Sequence, residues 1–189
     1  MATYAIIGFG CAGFHALEAI READKTGVIH IYSEHTDPPY NPMLTTYYAS
    51  NRLCYEGMFP FGDLADIAAN YHAEIFSGTR VTALDADKRT LTLEDGTERA
   101  YDKILLATGA RSFTPPIPIE CPEAAVSMRT LDDARVLKRI LEERPIKQAV
   151  VIGASMAGIK VAEVLHNNGA HVILADMAPY IFPLAAYPE

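Results

Sequence analysis

Two glycine-punctuated segments constrain this chain more than anything else in it: "YAIIGFGCAGFHALEAI" at residues 4–20 and "VVIGASMAGIKVAEVL" at residues 150–165. Each is a short apolar run, then small residues at GxGxxG spacing, then apolar residues at helical intervals. The first reads as a strand over Thr3–Ile7, a turn through Gly8, Gly10 and Gly13, and a helix carrying Ala16, Leu17 and Ile20. Gly27 ends that pattern, "VIHIY" (28–32) reads as a second strand, and Glu34 follows it, 21 residues beyond Gly13.

Each part has a mechanical reason. Gly8 permits a tight turn, Gly10 lets backbone approach a pyrophosphate, and Gly13 lets helix and strand pack closely. The helix N-terminus offers free N–H groups and the positive end of its dipole to phosphates. A carboxylate at Glu34 is placed to accept hydrogen bonds from ribose hydroxyls.

The second copy has Ala149–Ile152 as strand, then Gly153, Ser155 and Gly158, a helix with Ala162 and Leu165, and the turn "NNG". The strand "HVILA" (171–175) ends at Asp176, 18 residues after Gly158. Ser155 in the middle position narrows the room for backbone–phosphate contact. An acid at the ribose position favours NAD over NADP, whose 2′-phosphate it would repel.

Between the copies, residues 63–72 read as a helix. "EIFSG", "RVTALDA", "RTLTLEDG" and "ERAYDKILLATGA" follow, divided by the turn signals "DADKR" and "EDGTE". This predicts an antiparallel meander that returns to a buried strand over 104–107. "PPIPI" (115–119) can extend neither a helix nor a central strand and reads as an interdomain connector. Thr130 is placed as an N-cap, with Asp132 and Asp133 in the first turn of the helix that leads to the second copy. The expectation is an α/β chain: a Rossmann-like domain with an antiparallel β-meander over 1–114, and a partial second Rossmann-like unit over 115–189.

Composition narrows the partners. The formal charge of −8 argues against nonspecific nucleic-acid binding and suits a cationic protein partner. No apolar stretch approaches the roughly 18–20 residues of a membrane span. No basic segment precedes the first apolar residues, so the N-terminus does not read as a secretory signal. The three cysteines, Cys11, Cys54 and Cys121, have no CxxC spacing and fit a reducing compartment, so the chain reads as cytoplasmic. The six histidines are scattered, and no metal site is expected.

Two glycine fingerprints, "YDKILLATGA" and a Pro-rich crossover, in this order, resemble the pyridine nucleotide-disulfide oxidoreductase superfamily. The nearest branch contains rubredoxin and ferredoxin reductases and the flavoprotein part of NADH nitrite reductases. The resemblance spans nearly the whole chain and implies FAD and NAD(H) as cofactors. By position, Gly8, Gly10, Ala12, Gly13 and Glu34 would hold the ADP half of FAD. Val81 would meet adenine through its backbone, and Ala107, Thr108 and Gly109 match the family's ATG contact. "PPYNPMLTTYYA" (38–49) matches the family's "PYxRPPLSK" segment, bringing Pro42 and Thr45 toward the flavin. Gly153, Ser155, Met156, Gly158 and Asp176 would receive NADH.

The departures from the family are equally specific. No CxxxxC or single cysteine occurs near residues 40–46, so disulfide-reductase chemistry is not expected, and Cys11 and Cys54 read as small buried residues rather than redox centres. Thr45 and Thr46 stand near the position of the family's lysine. Lys160 replaces its usual glutamate, either to place positive charge by a reduced flavin or to lie on a solvated helix face. The resemblance implies the front half of a flavoprotein, a truncated product or a subunit completed by another polypeptide, homo- or hetero-oligomeric. The expected activity is electron transfer from NADH through FAD to a redox-protein acceptor, with no catalytic side chain assigned. The alternative is a non-catalytic nucleotide-binding or assembly subunit of a larger redox complex.

Overall fold

The computed structural model describes residues 1–182. In chain order its strands and helices begin with β1 (Thr3–Ile7), α1 (Cys11–Ala23), β2 (Val28–Ser33), α2 (Thr45–Ala49), α3 (Leu64–Tyr71) and β3 (Glu74–Ser77). There follow β4 (Val81–Asp85), β5 (Thr90–Leu93), β6 (Glu98–Ala100), β7 (Lys103–Leu106), α4 (Leu131–Glu143), β8 (Gln148–Ile152), α5 (Met156–Asn167) and β9 (His171–Ala175). Among the described residues no helix is long and apolar enough to cross a membrane. The chain forms two compact units: Met1–Asn41 with Phe59–Ala110, and Pro42–Met58 with the chain from Arg111 onward.

In the first unit a parallel sheet runs in the order β3-β2-β1-β7. Side chains alternate between its faces, as the strand period of two requires. Ile6, Ile29 and Ile31 point to one face, where Phe14 and Leu17 of α1 and Ile67 of α3 bury them. Ala5, Ile7 and Tyr32 point to the other, which Leu91, Leu93 and Tyr101 of the meander cover. The result is three layers: helices, parallel sheet, and the antiparallel sheet β4-β5-β6. Each fully buried aliphatic side chain stabilises this arrangement by about 1.5–3 kcal/mol.

Two expectations are corrected here. The "EIFS" segment, read as the start of the antiparallel meander, pairs parallel with β2 as an edge strand of the main sheet. The strand expected to be buried over 104–107 is the opposite edge, β7, where Leu105 is 40% and Leu106 61% exposed. An edge strand has a neighbour on one side only, so an apolar run does not guarantee burial.

Arg21 ties the end of the sheet remote from the strand C-termini. Its Nε donates to the Tyr71 carbonyl, Nη1 to those of Asp24 and Gly27, and Nη2 to that of His72. One guanidinium thereby satisfies carbonyls at the ends of α1 and α3 and in the turn before β2, which an ammonium lacks the fork to do.

In the second unit β8 and β9 pair in parallel, with Val150 beside Ile173. α4 opens with the expected Thr130 cap in its full form. Thr130 Oγ1 accepts from the Asp133 N–H, and the Asp133 carboxylate accepts from the Thr130 N–H, a reciprocal capping box. Residues 42–58 pack with this unit. Charge and aromatic contacts join it there: Lys138 of α4 lies over the Tyr48 ring, Arg135 lies over Tyr55, and Arg52 pairs with Glu163 of α5.

Polar groups also sit under the first sheet. His30 of β2 lies 3.2 Å from Glu74 through Nε2 and 2.7 Å from the Tyr101 hydroxyl through Nδ1, and Tyr101 lies 2.5 Å from the Tyr32 hydroxyl. A carboxylate only accepts, so Nε2–H donates to Glu74, Tyr101 donates to Nδ1, and Tyr32 donates to Tyr101. Burial pushes the His30 pKa down, against the weaker pull of Glu74. A histidine whose folded pKa is depressed contributes stability that is present above its unfolded value near 6.5 and is lost as pH falls through the folded value. His30→Gln is expected to flatten the loss of thermal stability between pH 7 and pH 5, measured by melting curves across that range. An unchanged slope would count against the buried histidine as its source.

Candidate functional site

At the first turn three strand ends meet. The Gly8 N–H donates to the Tyr32 carbonyl at 2.8 Å, and the Ala107 N–H donates to the Ile7 carbonyl at 2.7 Å. Gly8 has φ +97°, and a Cβ there would run into the Ala107 carbonyl. Gly13, in the first turn of α1, lies so close over the Gly8 carbonyl that a Cβ would collide with it. Two glycines are therefore demanded by the fold itself.

Gly10 is different. It is the N-cap of α1 with φ −88°, it is exposed, and a Cβ there would meet nothing within 4 Å. Among the described residues nothing requires glycine at that position, so the open space is suited to something from outside. No side chain caps α1 and no acid lies in its first turn, which Cys11 and Ala12 expose. The first N–H groups of the helix thus face the crevice at the C-terminal ends of β1, β2 and β7, beside the central strand of the sheet.

Glu34 follows β2 directly and is exposed. Its carboxylate lies 3.7 Å from Arg80 Nε and 3.5 Å from His35 Nε2. The Thr79 N–H donates to the Ser33 carbonyl at 2.8 Å, which lays the segment leading to Val81 alongside Glu34. An open groove of about 350 Å³ adjoins it, lined by Gly78, Thr79, Arg80, Leu93, Glu94 and Asp95. Arg80 was missed in the sequence, although it precedes Val81 in "GTRV". Thr108 and Gly109, with Gly109 at φ +70°, continue from Ala107 as an exposed loop.

The second turn repeats this backbone with other side chains. Gly153 has φ +104° and donates its N–H to the Ala175 carbonyl at 2.8 Å. A Cβ on Gly158 would collide with the Gly153 carbonyl. Ser155 takes the N-cap place, exposed and making no side-chain cap, and Met156 beside it is half exposed. Asp176 Oδ2 accepts the Ala154 N–H at 2.6 Å and Oδ1 accepts the Ala178 N–H at 2.7 Å. These two donors, Ala178 first, hold its carboxyl below the usual carboxylate range.

Pro42 opens a single 3-10 turn before α2, and Thr45 is buried with Oγ1 donating to the Pro42 carbonyl at 2.8 Å. Lys160 lies 2.8 Å from Glu163 and over the Tyr47 ring, while Arg52 lies 3.2 Å from the other oxygen of Glu163. Two cations thus share one carboxylate between α5 and the segment after α2. The recess they line with Thr46 and Ser50, about 10 Å³, has room for about one water molecule. Cys11 and Cys54, expected to be buried, are exposed, as is Cys121, and all three are free; Cys11 opens α1 at the uncovered start of the helix.

The sequence model of the family described as pyridine nucleotide-disulphide oxidoreductase matches residues 2–188. The chain is 37% identical over 175 residues to the NADH-dependent phenylglyoxylate dehydrogenase subunit epsilon of Aromatoleum evansii, covering 93% of this chain and 41% of that protein. It is 33% identical over 180 residues to the ferredoxin reductase component of chlorobenzene dioxygenase from a Cupriavidus species, covering 94% and 43%. Among solved structures it superposes on the covalent putidaredoxin reductase–putidaredoxin complex with a TM-score of 0.86 at 27% identity, over 99% of this chain and 45% of that one. The chain spans less than half the length of these relatives.

The two kinds of glycine are separable by substitution. Gly13→Ala is expected to cost about 1–3 kcal/mol, as overpacking against rigid backbone does. Gly10→Ala is expected to cost less, under about 1 kcal/mol, the N-cap's preference for glycine over alanine. Thermal melts of both variants check this, and equal midpoints would contradict the close approach at Gly13.

Proposed function

Because the chain belongs to the pyridine nucleotide-disulphide oxidoreductase family, whose members use FAD and NAD(H), we propose that it carries electrons from NADH by way of FAD to a redox-protein acceptor. The single observation that carries the reading is Gly10: an N-cap with open space above it, in a turn whose other glycines are fixed by packing. Such a cradle fits a pyrophosphate, which needs backbone N–H donors and no side chain in its way.

Gly8, Gly10, Ala12 and Gly13 would hold the diphosphate of FAD, Glu34 the ribose, and the backbone at Val81 the adenine. Ala107, Thr108 and Gly109 would close the pocket, and Pro42 and Thr45 would line the path of the ring. Gly153, Ser155, Met156, Gly158 and Asp176 would receive NADH, the acid accepting from the ribose hydroxyls. When bound, FAD supplies the exchange between a two-electron hydride and single electrons. The protein's part is position and electrostatics: Thr45, its hydroxyl spent on Pro42, offers shape rather than a proton. Lys160 and Arg52, sharing Glu163, leave one positive charge in excess beside α2. No redox-active disulfide enters this route, and no side chain is assigned as acid or base.

The relatives support the acceptor class, since one is a ferredoxin reductase component and one solved structure holds a reductase joined to putidaredoxin. A second reading, a nucleotide-binding subunit of a larger redox complex, is favoured by the likeness to a dehydrogenase subunit. One titration separates them. The purified chain, supplied with FAD, is expected to show visible flavin bands that bleach when NADH is added without oxygen. Flavin that binds and stays oxidised would favour the assembly subunit, and a chain that retains no flavin would overturn its holding FAD unaided.

A further inference from the structure

The two turns differ in what their acids do. Glu34 pairs with Arg80 and His35, both side chains beyond its own glycine turn. Asp176 reaches back into its turn. The N–H it accepts at 2.6 Å belongs to Ala154, the residue between Gly153 and Ser155, which is 2% exposed. The Ala154 carbonyl accepts the Phe182 N–H at 3.1 Å, and the Gly153 N–H is donated to Ala175. The strand end and the loop after it therefore hold the turn at three points, and Asp176 supplies the charged one.

We propose that Asp176 is a positioning residue that fastens the second glycine turn in its nucleotide-receiving shape, separately from any contact with ribose. A carboxylate holding two N–H groups at 2.6 and 2.7 Å makes charge-assisted bonds, roughly twice as strong as neutral ones. Swinging aside to admit a 2′-phosphate would release both donors, one of them buried. The depressed pKa agrees with a carboxylate that stays charged at neutral pH. Removing the acid therefore does two things, and the nucleotide half of the proposal rests on the reading that this turn binds NADH.

Asp176→Asn keeps an oxygen for the Ala154 N–H but loses the charge, whereas Asp176→Ala keeps neither. In the 189-residue chain, amide hydrogen exchange at Ala154 is expected to rise only a few-fold in the Asn variant, which keeps a neutral acceptor. It is expected to accelerate about 10-fold or more in the Ala variant, the lower end of what a bond to a charged group contributes. Calorimetric titration is expected to show NADH affinity largely kept by Asn, with its preference over NADPH reduced. The Ala variant is expected to bind both nucleotides about 10-fold more weakly than Asn does. Parent-like exchange at Ala154 in the Ala variant overturns the clamp, whatever the nucleotides do. Equal behaviour of the two variants toward both nucleotides overturns it as well, leaving Asp176 a ribose ligand alone. A parent chain that binds neither nucleotide overturns the NADH reading and the nucleotide half of the proposal, while the exchange rates still decide the clamp.

Discussion

The chain's two glycine turns depend on a missing Cβ above a carbonyl. Gly13 passes over the Gly8 carbonyl and Gly158 over that of Gly153, closer than any side chain would permit. That approach sets the angle at which each helix leaves its strand. In the first unit it lays Phe14 and Leu17 on Ile6, Ile29 and Ile31, so that the core and the turn are one construction. It also points the start of α1 at the strand ends, where a binding crevice of an α/β sheet belongs.

On this shared backbone the two turns carry different chemistry, as expected when a fold is common and function lies in the side chains grafted on it. The first leaves its N-cap bare at Gly10 and its acid turned toward Arg80. The second fills the N-cap with Ser155 and turns its acid inward to the backbone. The first is open to a group that brings its own negative charge close to the peptide. The second is a pre-tightened loop, with less freedom to lose when something binds.

Much of this was legible in the residues, and the limits have physical causes. GxGxxG spacing, Thr130 with Asp133, and the acids after β2 and β9 are local patterns, and local patterns report local geometry faithfully. Partnership is another matter. "EIFS" has the same alternation whether it pairs parallel or antiparallel, and only the position of its neighbour, β2, decides. Leu105 and Leu106 read as buried because an apolar run carries no record of whether a strand lies beyond it. The 42–58 segment joined the second unit through Tyr48, Arg52 and Tyr55, contacts to residues 80 or more positions away that no spacing rule encodes. The inward turn of Asp176 was hidden for a related reason, since a carboxylate's choice between ligand and backbone is made in three dimensions.

Arg21 gives the first unit a mechanical polarity. Its guanidinium stitches together the carbonyls of Tyr71, His72, Asp24 and Gly27 at the rim opposite the glycine turn. The two rims are therefore fastened by different chemistry: a charged side chain gathers carbonyls at the strand origins, whereas at the tips backbone meets backbone, Gly8 N–H on the Tyr32 carbonyl and Ala107 N–H on that of Ile7.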